Sequence, residues 1–244
     1  MRKYKEYMNG KLEGAMNHVI EETNRALEHK LGSVCLDRAY VYHLLAKAVQ
    51  PPTLEFAESL LDGTFYSKVE NSVQWVNERE GMYNQSLENL KKVSENKEGY
   101  VTEELFRKMK EEYEKLFLSA DPNGISPFES DYGNKTKDSV AAAVLKAYNG
   151  ERTDRMSETE NAPDHISTEL EFLSYLSRLE GEAWQQGQML EAKEWRIKER
   201  TFMVHHLKKW GVSFFVKFER ATRLEAYNSI AAIGSIFMTI ENGN

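Results

Sequence analysis

Apolar residues recur three and four positions apart in segment after segment of this chain, and no stretch alternates residue by residue as a half-buried strand would. Leu36, Tyr40, Val41, Leu44, Leu45 and Ala48 form one such series. Leu105, Met109, Tyr113, Leu116 and Phe117 form another, and Ile166, Leu170, Leu173, Leu176 and Leu179 a third. Residues at this spacing share one face of a helix, and only 5 prolines and 14 glycines in 244 residues interrupt them. The expected fold class is all-α.

Local breakers divide the pattern. Residues 1–30 are a polar, helix-tolerant lead-in, helical or poorly ordered. Gly32-Ser33 punctuates, with Ser33 as a cap for the helix that Pro51-Pro52 stops. Thr53 caps a short helix ended by Gly63, and Gly81 divides a helical region over 65–93. Thr102 followed by Glu103-Glu104 starts the helix that Asp121-Pro122-Asn123-Gly124 breaks. A helix over 136–148 ends at Asn149-Gly150, and the polar stretch 151–162 is the expected hinge. The chain is expected to be one multi-helical domain over 31–240, with halves at about 31–150 and 163–240. Gly181 and Gly187 are expected interruptions of the second half, and Gly211 opens its last helical region.

The net charge of −7 argues against broad nucleic-acid binding, which needs clustered Lys and Arg, and permits a cationic partner. Cys35 is the only cysteine, consistent with a reducing compartment. Met1 to Glu6 carries positive charge with no apolar run behind it, unlike a secretory signal. Ala226 to Ile240 falls short of the ~20 apolar residues of a spanning helix. A cytoplasmic location is expected.

Two stretches carry more than helix-forming information. In the first, Tyr113, Leu116 and Phe117 end a helix and lead into Ser126-Pro127-Phe128-Glu129-Ser130-Asp131-Tyr132, a stiff, apolar and acidic edge. The second is Glu160-Asn161-Ala162-Pro163-Asp164-His165 at a helix start, where Pro163 disfavours helix before it and Asp164 is a good N-cap. Taken alone, these read as core packing, a connecting loop and a cap.

Catalytic and metal chemistry find little support. Asp164 and His165 could form an acid/base pair, but neighbouring side chains at a helix start diverge, and no nucleophile motif or phosphate loop accompanies them. The Asp121-Asn123-Gly124 stretch fails as a calcium loop, because Ile125 holds a ligand position and Tyr132 stands where the bidentate glutamate belongs. His205-His206 point apart on a helix, and no His pair is spaced by four. No catalytic residue, metal or cofactor is expected.

In order along the chain, the Tyr113-x-x-Leu116-Phe117 helix end, the Pro127-Phe128 loop and Glu160-x-x-Pro163-Asp164-His165 resemble the TorD/DmsD family of redox-enzyme maturation chaperones, relatives of the NarJ group. Arg38 to Ala46, Glu169 to Leu173 and His206-Leu207-x-x-Trp210 extend the resemblance over roughly 31–240. It implies an all-helical, non-enzymatic chaperone that binds the twin-arginine signal peptide, or the N-terminus, of a molybdenum-containing oxidoreductase subunit. Binding would hold back export or assembly until cofactor insertion. Tyr113, Leu116, Phe117, Pro127 and Phe128 would then supply an apolar wall for the peptide, and Tyr132 and Pro163 would also belong to its binding site. Glu129, Asp131, Glu160 and Asp164 would be candidates for its arginines, with His165 donating or accepting a hydrogen bond to the peptide backbone. A NarJ-like chaperone for a subunit without a full export signal is the alternative, and a hydrolase using Asp164 and His165 the alternative of another class. A monomer is the default, with exchange of the C-terminal half through the hinge as the route to a dimer.

Overall fold

The computed structural model describes residues 2–95, 99–119, 124–134, 136–150 and 162–243, with side chains described from residue 16 onward apart from 77–80. The fold is all-α. The helices are α1 (Arg2–Ala48), α2 (Leu54–Leu61), α3 (Thr64–Glu80), α4 (Asn84–Ser94) and α5 (Thr102–Tyr113). They continue with α6 (Lys137–Gly150), α7 (Ile166–Gln185), α8 (Met189–His205), α9 (Gly211–Ala221) and α10 (Glu225–Gly243). Among the described residues no strand forms, only one isolated bridge between Phe128 and His165. No described helix is long and apolar enough to cross a membrane.

The first expectation to fail is the break at Gly32-Ser33. α1 runs through it as one helix of 47 residues, about 70 Å long at 1.5 Å per residue. Ser33 Oγ donates back to His29 O at 3.1 Å, as a mid-helix serine does, and caps nothing. From Met16 to Leu31 the helix is exposed nearly all round, and from Gly32 onward it is buried against α7. Gly32 is needed for that contact. A Cβ there would stand 2.9 Å from Gly181 O, and one on Gly181 would stand 2.9 Å from Gly32 O. Gly181 therefore lies inside α7 as the other half of a close helix crossing and interrupts nothing. Gly187 does end α7, at φ +72°, and Gly63 and Gly81 take positive φ where α2 and α3 stop.

Thr53 caps α2 as expected, its side chain accepting from Phe56 N. Pro51-Pro52 follow the end of α1. The expected hinge at 151–162 lies outside the described residues except for Ala162, and so does Glu160.

Tyr42, Phe172, Phe214, Phe218, Tyr227 and Phe237 are fully enclosed in the core. Set into it is an ionic cluster that ties four helices together. Arg38 of α1 donates through Nε to Glu241 Oε1 of α10 at 2.9 Å, pairs with Glu199 of α8, and lies 3.7 Å from Glu180 of α7. Burial pushes the Glu199 carboxyl up to about 7 against the pull of Arg38. Burial also raises Glu241, but Arg38 outweighs it and holds that carboxyl below its usual range. Tyr42 donates to Glu241 Oε2 at 3.0 Å.

Candidate functional site

α5 ends in a wider π-helical turn over Glu114–Leu118, which Ile125 closes by donating its N–H to Leu116 O at 2.7 Å. The turn aims Leu116 and Phe117 inward. Phe117 meets Phe218 edge to face at 5.2 Å and stacks on Phe214 at 6.0 Å. Tyr113, Leu116 and Phe117 are all buried, so the expected open apolar wall is instead core. An aromatic and a leucine at this spacing satisfy a helix face before they can serve a partner.

The loop that follows locks onto itself. The Ser126 hydroxyl pairs with the Asp131 carboxylate and accepts from Phe128 N at 3.3 Å, while Tyr132 donates its hydroxyl to Ser126 O at 3.0 Å. Residues Glu129–Tyr132 form a 3₁₀ turn. Pro127 is buried and Phe128 half-buried.

The second motif is stitched to this loop. Glu129 N donates to Asp164 O at 2.9 Å and Ile166 N to Pro127 O at 2.8 Å, the two bonds of an antiparallel bridge. Ser130 N also reaches Asp164 Oδ2 at 3.4 Å. Asp164 is thus buried and spent on the neighbouring loop, and it does not cap α7. His165 is the cap. Its backbone is extended, and its Nδ1 accepts from Ser167 N at 3.2 Å. An accepting Nδ1 means a neutral ring with its proton on Nε2. Burial holds the His165 pKa down to about 4, against the opposing charge of Asp164. Its ring meets Phe128 edge to face at 5.4 Å. Half-buried Pro163 is fixed by its carbonyl, which accepts from Tyr148 Oη at 2.9 Å.

Beneath the stitched loops lies a polar cluster that the motifs did not reveal. Glu129 Oε2 and His206 Nδ1 are 2.7 Å apart, joining the loop to the end of α8. His206 stacks on Phe202 at 4.7 Å, and Phe202 meets Phe172 at 4.8 Å. Glu169 is wholly buried on α7, one turn from Ile166. No well-formed hydrogen bond reaches its carboxyl, although Glu129 and the Trp210 indole N–H stand near enough to influence its titration. Burial, then the charge of Glu129, push Glu169 well above the usual carboxylate range. An unpaired buried carboxylate is costly, so burial favours its protonated form. One signal was available: Glu169 falls in the apolar register of Ile166, Leu170 and Leu173.

A cleft of about 310 Å³ opens beside this cluster, between the 3₁₀ turn, α6 and Trp210. Tyr132 and Trp210, with ring centroids 5.0 Å apart, make its aromatic wall, and Val140 adds to it. Glu129 and Lys209 also line it, and Lys217 Nζ lies 4.5 Å from the centre of the Tyr132 ring. Of the residues expected to contact a partner, Glu129 and Tyr132 border this cleft. Tyr113, Leu116, Phe117 and Asp164 are enclosed.

The family model described as nitrate reductase delta subunit matches residues 76–216, more than half of the chain. That span runs from α3 into α9 and includes both loops, α5 to α8 and the Glu129–Glu169–His206 cluster. No curated protein matches the chain, and no solved structure does. With both stitched loops and the cluster beneath them inside the matched span, the chain belongs to the nitrate reductase delta subunit family, the NarJ/TorD group of molybdoenzyme assembly chaperones.

Proposed function

We propose that this protein is a cytoplasmic chaperone that binds the twin-arginine signal peptide, or the N-terminal segment, of the catalytic subunit of a molybdenum-containing oxidoreductase. By covering that segment it delays export or membrane assembly until the cofactor is in place, and it acts by binding, not by turnover. The observation that carries the reading is the cleft beside the stitched loops. Half-buried Tyr132 offers it an aromatic surface, backed by the enclosed Trp210 and Val140, and the same 3₁₀ turn carries Asp131.

The division of labour among the carboxylates differs from the sequence expectation. Glu129 and Asp164 are engaged inside the protein by His206 and Ser130. Asp131 is the more accessible group: Ser126 bonds one oxygen, and the other has Lys137 Nζ at 3.7 Å as a weak surface partner that a guanidinium could displace. Apolar residues of the peptide would lie on Tyr132.

Calorimetric titration of a client N-terminal peptide into the purified chain tests this. Tyr132→Ala should weaken binding at least tenfold, and Asp131→Asn should lower both the affinity and its salt dependence, with helicity unchanged in each. Wild-type affinity in both variants would refute the assignment. A second reading follows from the family description, which names a nitrate reductase subunit: a client N-terminus without a complete export signal. Equal affinity for peptides with and without the arginine pair would select it.

A further inference from the structure

The end of α1, α2 and the start of α3 enclose another cleft, of about 290 Å³, formed by residues that neither motif includes. Its floor is aromatic, with Phe56 and Phe65 meeting edge to face at 5.3 Å. Tyr40, His43 and Lys47 line it from α1 at positions i, i+3 and i+7, one face of the helix. His43 is fixed in place, its Nδ1 lying 3.0 and 3.1 Å from the two oxygens of Glu171, and Tyr40 stacks on its ring at 6.3 Å.

The rim is cationic. Lys47 and Lys68 both line the opening; neither ammonium makes a salt bridge with a described residue, although Lys68 is near enough to Asp62 to act on its charge. Glu55 is the one acidic side chain in the lining, since Glu171 is held by His43. Two ammonium groups free of salt bridges over an aromatic floor disfavour a cationic guest, and they leave a purely apolar guest without use for the charges. An anion on an apolar stem satisfies both halves.

We infer that this cleft is a second binding site, chemically distinct from the one beside the motif loops, for an anion carried on an aromatic stem. The anionic group would lie between Lys47 and Lys68 and the stem over Phe56 and Tyr40. Such chemistry is presented by a free aryl phosphate or carboxylate, and equally by an acidic residue next to an aromatic one in a polypeptide.

Titration of phenyl phosphate into the full chain, followed by ³¹P NMR, tests the site. Displacement by an acetylated Glu-Phe amide, run in parallel, separates the sources. Saturable binding that falls at least tenfold in the Lys47→Gln/Lys68→Gln variant and weakens with added salt is the expected result. Displacement by the dipeptide points to a polypeptide anion, and its failure to displace points to a free small molecule. Both lysines are exposed, so the variant should keep wild-type circular dichroism. Its affinity for a client N-terminal peptide should also be unchanged, and Tyr132→Ala should leave phenyl phosphate binding intact, so the two sites are judged independently. Absence of saturable binding of either probe at millimolar concentration, or equal binding by wild type and the double-lysine variant, would overturn the inference.

Discussion

Replacing His165 by asparagine isolates what the buried imidazole does. Asparagine is an equally good N-cap and can accept from Ser167 N, but it does not titrate. In the folded protein, burial brings the His165 pKa to about 4, whereas an unfolded chain binds that proton near 6.5. Between these values the unfolded state holds more protons, so His165 favours folding fully above pH 6.5 and progressively less as pH falls toward 4. From these two values the wild type should lose about 2 kcal/mol relative to His165→Asn between pH 8 and pH 5, and about 3 kcal/mol once the folded-state pKa is passed. Glu199 works in the opposite sense. Its carboxyl, raised to about 7, favours folding below its unfolded pKa near 4.5 and loses that contribution as pH rises to 7. The two slopes oppose each other over nearly the same interval, so the wild-type curve alone will not display either. The difference between variant and wild type will. Urea unfolding followed by circular dichroism and tryptophan fluorescence at half-unit steps from pH 8 to 5 gives that difference directly. Curves that stay parallel within about 0.5 kcal/mol would refute the neutral, accepting His165 at the start of α7.

Two further predictions concern the frame. Arg38→Met removes the cation shared by Glu199 and Glu241, leaving buried carboxylates uncompensated. It should cost about 3–5 kcal/mol in chemical unfolding, part of it recovered by adding Glu199→Gln. Gly181→Ala places a Cβ 2.9 Å from Gly32 O and 2.8 Å from Leu36 Cγ. Thermal unfolding should show a loss of about 1–3 kcal/mol, and an unchanged midpoint would mean that α1 and α7 do not cross this closely.

The helical class was legible because its evidence is local. A three-to-four period is written into each segment, and so are stops such as Pro51-Pro52, Gly63 and Gly81. Glycine was misread where it serves a distant partner. Gly32 and Gly181 look like punctuation in sequence, yet each is small because the other's carbonyl lies against it, 149 positions away in the chain. The link between the two motif loops was equally invisible, since Phe128 and His165 pair across an intervening helix and nothing local encodes the bridge. The shift of the cap from Asp164 to His165 follows from that bridge, because Asp164 is already committed to Glu129 and Ser130.

The acidic residues around the site show what sequence alone leaves open. Glu129, Asp131, Asp164 and Glu169 are the same functional group written four times, and burial separates them into three kinds. Asp164 and Glu129 are structural acceptors that hold loop to loop and loop to helix. Glu169 is enclosed beneath them, where burial raises its carboxyl well above the usual range. Asp131 alone stands at the surface, because Ser126 and Tyr132 turn the loop outward at that position. A cationic peptide discriminates among carboxylates by desolvation as much as by charge. Reaching Glu129 would require displacing His206 from a bond of 2.7 Å, whereas the Asp131 oxygen not bonded by Ser126 is faced only by a lysine at 3.7 Å. The enclosed acids therefore fix the shape of the edge, and on the proposed reading recognition would fall to Asp131, the carboxylate of these four that the edge presents.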